Sequence, residues 1–184
     1  MKKLIFIISV LMFSVATTFA ESNPQELSKE QKALLQAKLD SIVHQEAIDA
    51  INNKAFTLEA DQVTFKYGQT AYVASNTNFV SLNGDDAVVQ VAFNIPLSGL
   101  NGIGGITVDG TVSNYDIKSE KNGDTLVSMS VTGVGISATV YIRLYKDSDK
   151  ASVSILPNFN SNNLSLSGHI VPLHKSNVFK GRSL

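Results

Sequence analysis

The sequence has 184 residues, no cysteine, no tryptophan and a formal net charge of −1. Its lysines and arginines are scattered and form no basic patch, which argues against nucleic acid or an anionic membrane as a partner. Without cysteine the chain forms no disulfide and carries no lipid anchor of the lipoprotein type. The length favours one domain, which is large enough to bury a stabilising core without disulfides.

The first twenty residues have the pattern of a secretory signal peptide. Lys2 and Lys3 form a charged start, residues 4–15 are apolar, and Thr18-Phe19-Ala20 is a small-x-small cleavage site. The apolar run is shorter than the roughly 20 residues of a membrane-spanning helix, so a cleaved signal is favoured over an anchor. We therefore predict an exported protein, periplasmic or secreted, with a signal peptide over 1–20, a mobile leader over 21–28 and a single domain over 29–184.

A long helix is predicted next. Ser28 and Gln31 form a capping box, in which each side chain bonds the other residue's backbone N–H. The helix is expected to run from Lys29 to about Asn53. An apolar row at spacing four drifts by about 40° per step on a 3.6-residue helix, which indicates a helix crossing a twisted sheet. The row consists of Leu35, Leu39, Val43, Ala47, Ile51 and Ala55, and Ile42 and Ile48 widen this apolar stripe.

Beyond the helix the apolar period changes to two, which is typical of strands. Turn signals at Asn83-Gly84, Asn122-Gly123 and Asp147-Ser148-Asp149 separate several of these segments. An extra residue near Ser113 or Asn114 breaks the alternation and predicts a β-bulge. The glycine-rich stretch 98–105 is interpreted as a long hairpin turn. A phosphate-binding loop would lead into a helix, whereas this stretch leads into another strand.

These patterns predict an α+β fold: a long N-terminal helix packed on a curved antiparallel sheet of about eight or nine strands. A closed β-barrel with a helix is the alternative, because a sheet this long usually curls. The tail from Pro172 to Leu184 is expected to be irregular, with Val178 and Phe179 packing onto the body as an apolar pair.

Several runs of the sequence resemble a known family. They are residues 78–85 (NFVSLNGD), 89–93 (VQVAF) and 101–110 (NGIGGITVDG), with 168–173 and 176–181 near the end. In these runs the chain is similar to the secreted bacterial domain-of-unknown-function family 4251, from about Lys32 to the C-terminus. The resemblance implies secretion and a single domain, and it implies no catalytic residue.

Four residues are candidates for binding. Asp109 lies within a predicted strand on the face opposite Val108, where it becomes a binding group if that face is concave. Arg143 stands between Tyr141 and Tyr145 on one strand face, and an arginine between two tyrosines can hold a carboxylate or another polar ligand. The alternative for these residues is an ordinary solvent-facing face.

No catalytic residue, cofactor or metal site is predicted. His44 is expected to be packed or half-exposed on the helix, and His169 and His174 lack the further ligands that a zinc site needs. Asp85 and Asp86 adjoin a turn, where aspartate is favoured locally. No Gly-x-Ser-x-Gly motif exposes a serine nucleophile.

Three functions from different classes remain open. The first is a secreted, non-enzymatic module that binds a protein or an envelope component through its sheet. The second is a carrier of a small apolar ligand, which needs an enclosed apolar cavity between helix and sheet. The third is a hydrolase, which needs at least two of Asp86, Asp109, Arg143 and His169 to converge in one cleft.

Overall fold

The computed structural model describes residues 28–92, 105–134, 136–158 and 163–183. The chain divides into two compact units, 1–36 and 37–184, and the second contains every strand described below. The elements are α1 (Lys29–Asn52), β1 (Ala55–Phe65), β2 (Thr70–Tyr72), β3 (Phe79–Asn83), β4 (Asp86–Ala92), β5 (Gly105–Ser119), β6 (Thr125–Gly133), β7 (Ile136–Leu144), β8 (Lys150–Pro157) and β9 (Leu164–Pro172), followed by a 3₁₀ turn (Leu173–Lys175).

The nine strands of the described residues form one antiparallel sheet, in which most strands pair with their sequence neighbours. β1 pairs with β3 on one edge and with β9 on the other, from Phe56 opposite Pro172 to Phe65 opposite Leu164. This second pairing closes eight strands into a barrel, and β2 extends the sheet beside the end of β1. The predicted fold class is confirmed, and the sheet takes the closed form that was the alternative.

One face of each barrel strand points inward and is apolar. Side chains with less than 2% exposure fill the interior, as expected for an eight-stranded barrel, whose lumen is about as wide as packed side chains require. The largest of them include Phe56, Leu58, Met129, Ile142, Leu144, Leu166 and Ile170. Polar residues alternate with them on the outer face, which is the period-two pattern visible in the sequence.

The predicted helix cap and the predicted hairpin turns are confirmed. Ser28 and Gln31 make the two reciprocal bonds of a capping box, at 2.9 and 3.2 Å. Gly84, Gly123 and Asp147 all have positive φ in the hairpin turns predicted for them. All but the last residue of the glycine-rich stretch 98–105 lies outside the described residues, although the strands on its two sides do pair, with Ala92 opposite Gly105. Residues 1–27, which include the predicted signal and all but the last residue of the predicted leader, are also outside the described part.

The predicted bulge lies in β5. The register with β6 shifts between Ser113 and Asp116, and Asn114 has a φ of 54°. The shift lets Tyr115 pack against the core, where its hydroxyl donates a hydrogen bond of 2.8 Å to the carbonyl oxygen of Ile51. Burial raises the pKa of the Tyr115 phenol.

The C-terminal half of α1 lies across one end of the barrel. Ala47, Ala50 and Ile51 are buried there. His44 Nδ1 is 2.7 Å from the Ser148 carbonyl oxygen in the β7–β8 turn, and Lys175 Nζ is 2.6 Å from Glu46 Oε1. These contacts and the Tyr115–Ile51 bond tie the helix to three separate parts of the barrel rim.

The predicted apolar stripe of the helix is only partly buried. Leu39 and Ile42 are 47% and 55% exposed, whereas Ala47 and Ile51 are buried. The expectation that the stripe packs on the sheet is confirmed for the last turns of the helix, and it is wrong for Leu39 and Ile42. A closed barrel presents a narrow end to the helix, so only the last turns reach apolar surface. In the described part of the chain, no helix combines the length and the apolar character needed to cross a membrane.

We predict that Gly168→Ala destabilises the barrel at its closure. Gly168 pairs with Ala60 beside the irregularity of β1, and a Cβ at Gly168 would overlap the Glu59 carbonyl oxygen. The β1 and β9 backbones must then separate, and overpacking of this kind lowers the free energy of unfolding by about 1–3 kcal/mol. Urea denaturation measures the change. Ser167→Ala, on the opposite face of β9, is the control, and equal midpoints for the two variants would contradict the prediction.

Candidate functional site

A groove of about 400 Å³ lies on the outer face of β5, β6, β7 and β8. We call it the tyrosine groove, because Tyr141 stands in its middle. Its outward-facing residues are Asp116, Lys118, Leu126, Ser128, Tyr141, Arg143, Ser152 and Ser154.

The strand register explains why a groove forms on the outside of a barrel. Across the four strands, Tyr141 lies between Ser128 on β6 and Ser154 on β8. Serine side chains are short, so they leave space on both sides of the tyrosine ring. The ring is half-exposed, with 51% of the residue accessible.

The charged groups of the groove are paired. Arg143 Nη1 donates to Glu120 Oε2 at 2.8 Å and to Asp124 Oδ2 at 3.0 Å. Lys118 Nζ is 2.9 Å from Asp116 Oδ2. Each cation therefore has a carboxylate partner at the rim. The other outward side chains near Tyr141 are uncharged: the apolar Leu126 and the hydroxyls of Ser128, Ser152 and Ser154.

Asp124 is the residue that fixes this rim. Its Oδ1 accepts the backbone N–H of Lys146 at 3.0 Å, and its Oδ2 accepts hydrogen bonds from Asn122 and Arg143. The Lys146 N–H contributes most to lowering the pKa of the Asp124 carboxyl, with smaller contributions from Arg143 and Asn122. One carboxylate thus joins the β5–β6 turn to the β7–β8 turn and orients Arg143.

Three of the four predicted binding residues lie together. Tyr141 and Arg143 line the groove, and the Tyr145 hydroxyl donates to Ser152 Oγ at 3.2 Å beside it. Asp109 lies apart, in the first half of β5, where its carboxylate contacts Lys180 Nζ at 2.7 Å. Interaction with Lys180 lowers the pKa of the Asp109 carboxyl.

Sequence reasoning missed Asp124 and Glu120. The Asn122-Gly123 turn signal placed both near a hairpin, but the sequence does not show that this hairpin end meets Arg143. That contact follows from the β6–β7 register, which pairs Leu126 with Arg143.

The histidines have separate surroundings. His44 contacts Ser148, as described above, and is half-buried, as expected. His169 Nδ1 is 3.0 Å from Asp149 Oδ1. His174 lines a cavity of about 260 Å³ between the helix end and the 3₁₀ turn. Within the described ranges, no group of three or more histidine, aspartate or glutamate side chains is arranged to hold a metal.

The residues of the hydrolase hypothesis do not share partners. Asp109 bonds with Lys180, Arg143 with Glu120 and Asp124, and His169 with Asp149. Asp86 begins β4, opposite Thr111. Asp109 and Arg143 also lie on strands that are not neighbours, since β6 separates β5 from β7.

Comparison with known proteins agrees with the resemblance seen in the sequence. The model of the family described as domain of unknown function DUF4251 matches residues 39–170. The chain belongs to the DUF4251 family. A crystal structure of a DUF4251 family protein from Bacteroides eggerthii DSM 20697 is 49% identical, covers 81% of this chain and 100% of that chain, and superposes with a TM-score of 0.67. No curated protein matches the chain.

The part of the chain that matches DUF4251 includes the whole tyrosine groove and Asp109. It ends at residue 170, before the C-terminal segment that contacts Asp109.

We predict that the stabilising effect of Asp124 depends on pH. The folded-state pKa of Asp124 lies below its ordinary value of 3.8, so the carboxylate stabilises the fold fully above that value and loses this effect as pH falls through the folded pKa. Asp124→Asn should therefore lower the urea midpoint at pH 7, and the difference from wild type should shrink below about pH 4. Urea denaturation at pH 7 and at pH 3 measures both differences.

Asp147→Asn is the matched control, because the Asp147 side chain lies in the adjoining turn and is 77% exposed. It should leave the midpoint unchanged at both pH values. If Asp124→Asn lowered the urea midpoint equally at both pH values, the charge of the Asp124 carboxylate would not be the source of its stabilising effect.

Proposed function

We propose that this DUF4251 protein is an exported, non-enzymatic binding module, and that its ligand is an uncharged, hydroxylated component of the cell envelope, such as a neutral polysaccharide segment, held in the tyrosine groove. The observation that carries the proposal is the lining of the groove: a half-exposed tyrosine ring, flanking serine hydroxyls and charges that are already paired.

The chemistry of the lining favours this ligand class. A tyrosine ring offers a flat apolar surface at low conformational cost, and its hydroxyl is a polar handle. Each serine hydroxyl can donate and accept a hydrogen bond, which suits a ligand that carries hydroxyl groups of its own. A strongly charged ligand gains little here, because Arg143 and Lys118 already contact carboxylates.

The size of the groove favours a small ligand over a protein surface. About 400 Å³ falls within the range of small-ligand sites, roughly 300–1,000 Å³. A stable protein–protein interface buries about 800 Å² on each partner, which is more than a groove four strands wide supplies by itself. Binding of an envelope protein is one of the outcomes that the comparison of wild type with Tyr141→Ala distinguishes.

The two other hypotheses receive less support. A carrier needs an enclosed apolar space, and the barrel interior in the described residues is filled by large side chains such as Phe56, Met129 and Ile170. A hydrolase needs converging acid and base groups, and the candidates each contact different partners.

The proposal of export is based on the first twenty residues. They have the charged start, the apolar core and the small-x-small cleavage site of a signal peptide. We expect the full-length gene product, expressed in a Gram-negative host, to appear in the periplasmic fraction with Glu21 as its first residue. Intact-mass spectrometry of that fraction measures this. Ala20→Pro, which blocks cleavage at such a site, is the control, and a cytoplasmic protein retaining Lys2 and Lys3 would contradict export.

We predict that neutral oligosaccharides bind the mature protein and that Tyr141→Ala weakens this binding at least tenfold, which corresponds to about 1.4 kcal/mol. The loss follows because the half-exposed Tyr141 ring supplies the aromatic surface of the groove. Isothermal titration with neutral hexasaccharides (maltohexaose, cellohexaose, xylohexaose) and with acidic oligogalacturonate measures it.

Tyr72→Ala is the control for this experiment, since Tyr72 is 88% exposed on β2, outside the groove. Tyr72→Ala should bind the neutral oligosaccharides with the same affinity as the wild-type protein. Binding of the acidic probe alone, or equal affinities for Tyr141→Ala and wild type, would contradict the proposal. A protein from the envelope that binds wild type but not Tyr141→Ala would keep the groove as the site and replace the ligand class.

A further inference from the structure

A second outward face of the barrel carries fully buried polar side chains. Gln90 on β4 and Thr107 on β5 have no exposed surface, although both point to the outside. The segment that covers them is 176–183, which has no regular secondary structure. This face shares no residue with the tyrosine groove.

Gln90 binds the backbone of that segment. Its Nε2 donates to the carbonyl oxygen of Phe179 at 2.7 Å, and its Oε1 accepts the N–H of Gly181 at 2.8 Å. The two remaining positions are taken by the Thr77 carbonyl oxygen at 2.9 Å and by Thr107 Oγ1, which donates at 2.7 Å. All four hydrogen-bonding positions of the amide are used, and Thr107 and Thr77 fix its orientation.

This is the way in which a neighbouring strand would bind the segment. The C=O before a residue and the N–H after it point to the same side of an extended chain, and one residue of a parallel partner strand bonds both. The Gln90 side chain takes the place of that partner around Lys180. Because the contact is to backbone groups, it accepts an extended peptide largely without regard to side chains.

Charge adds selectivity at the central residue. Lys180 Nζ lies 2.8 Å from Asp109 Oδ2 and 2.7 Å from Oδ1, and Ser183 Oγ donates to the same carboxylate at 2.9 Å.

The Phe179 N–H donates to the Asn76 carbonyl oxygen at 2.7 Å. Phe179 itself is 59% exposed, so the expectation that its side chain packs onto the body is wrong, and its backbone makes the contact instead.

We propose that the outer face around Gln90, Thr107 and Asp109 is a peptide-binding groove, that residues 176–183 occupy it as a tethered ligand, and that an extended peptide with a central lysine takes their place when it is supplied in trans. The segment suits this role because polar contacts, not a buried apolar side chain, hold its central residues. Segments with few buried apolar contacts open locally, without unfolding the domain.

Hydrogen exchange of the full chain tests the opening. The amides of Phe179 and Gly181 should exchange at least 100-fold faster than those of Val89 and Ile170 in the barrel, and low urea should not accelerate them. Exchange of all four amides at one common rate would show that the segment opens only when the domain unfolds, and would overturn the proposal.

Peptide binding in trans tests the groove. Lys180→Ala combined with Gly181→Pro removes the cation and the N–H from the tethered segment and leaves Gln90 and Asp109 intact. This double variant should bind a fluorescent peptide of residues 176–183 saturably, whereas the wild-type chain binds it at least tenfold more weakly. A peptide with glutamate in place of Lys180 should also bind at least tenfold more weakly.

The matched control adds Gln90→Leu to the double variant and should abolish binding. Binding that survives Gln90→Leu, or no binding to a double variant whose circular dichroism matches wild type, would overturn the proposal. A double variant that does not fold would show that the segment is an integral part of the barrel, and the proposal would fall.

Discussion

The pairing of β1 with β9 is the constraint on which the rest of the structure depends. It joins residues from 99 to 116 positions apart in the sequence, and it closes eight of the nine described strands into a barrel. Closure removes the sheet edges along these strands, which would otherwise expose unpaired backbone groups. It also narrows the interior until side chains fill it. Gly168 permits the two strands to approach where β1 is irregular, because any larger residue would overlap the Glu59 carbonyl oxygen.

The described interior is filled, and two outer faces of the barrel differ in character. The tyrosine groove is open and its rim charges are internally paired, which suits an uncharged ligand. The face around Gln90 is already covered, and it recognises backbone groups and one lysine. The difference follows from side-chain length: serines beside Tyr141 leave space, whereas Gln90 reaches out to a covering segment and is itself buried by it.

Local features followed well from the sequence. The Ser28–Gln31 capping box, the hairpin at Asn122-Gly123 and the bulge near Asn114 depend on residues within a few positions of one another, and all three are present. The apolar stripe of the helix was less informative, since Leu39 and Ile42 carry the right residue type and are nevertheless half-exposed. A stripe shows which helix face is apolar, but how much of it is buried depends on the shape of the partner surface.

In the candidate site, too, the sequence predicts some features and leaves others to the tertiary structure. The sequence by itself determined the alternation that points Tyr141, Arg143 and Tyr145 outward together, because the period of a strand is a local property of the backbone. Only the tertiary structure decided that Arg143 contacts Glu120 and Asp124, that Asp109 belongs to a different face, and that the sheet closes. Those outcomes depend on strand register and on contacts between distant residues, which a pattern of neighbouring side chains does not encode.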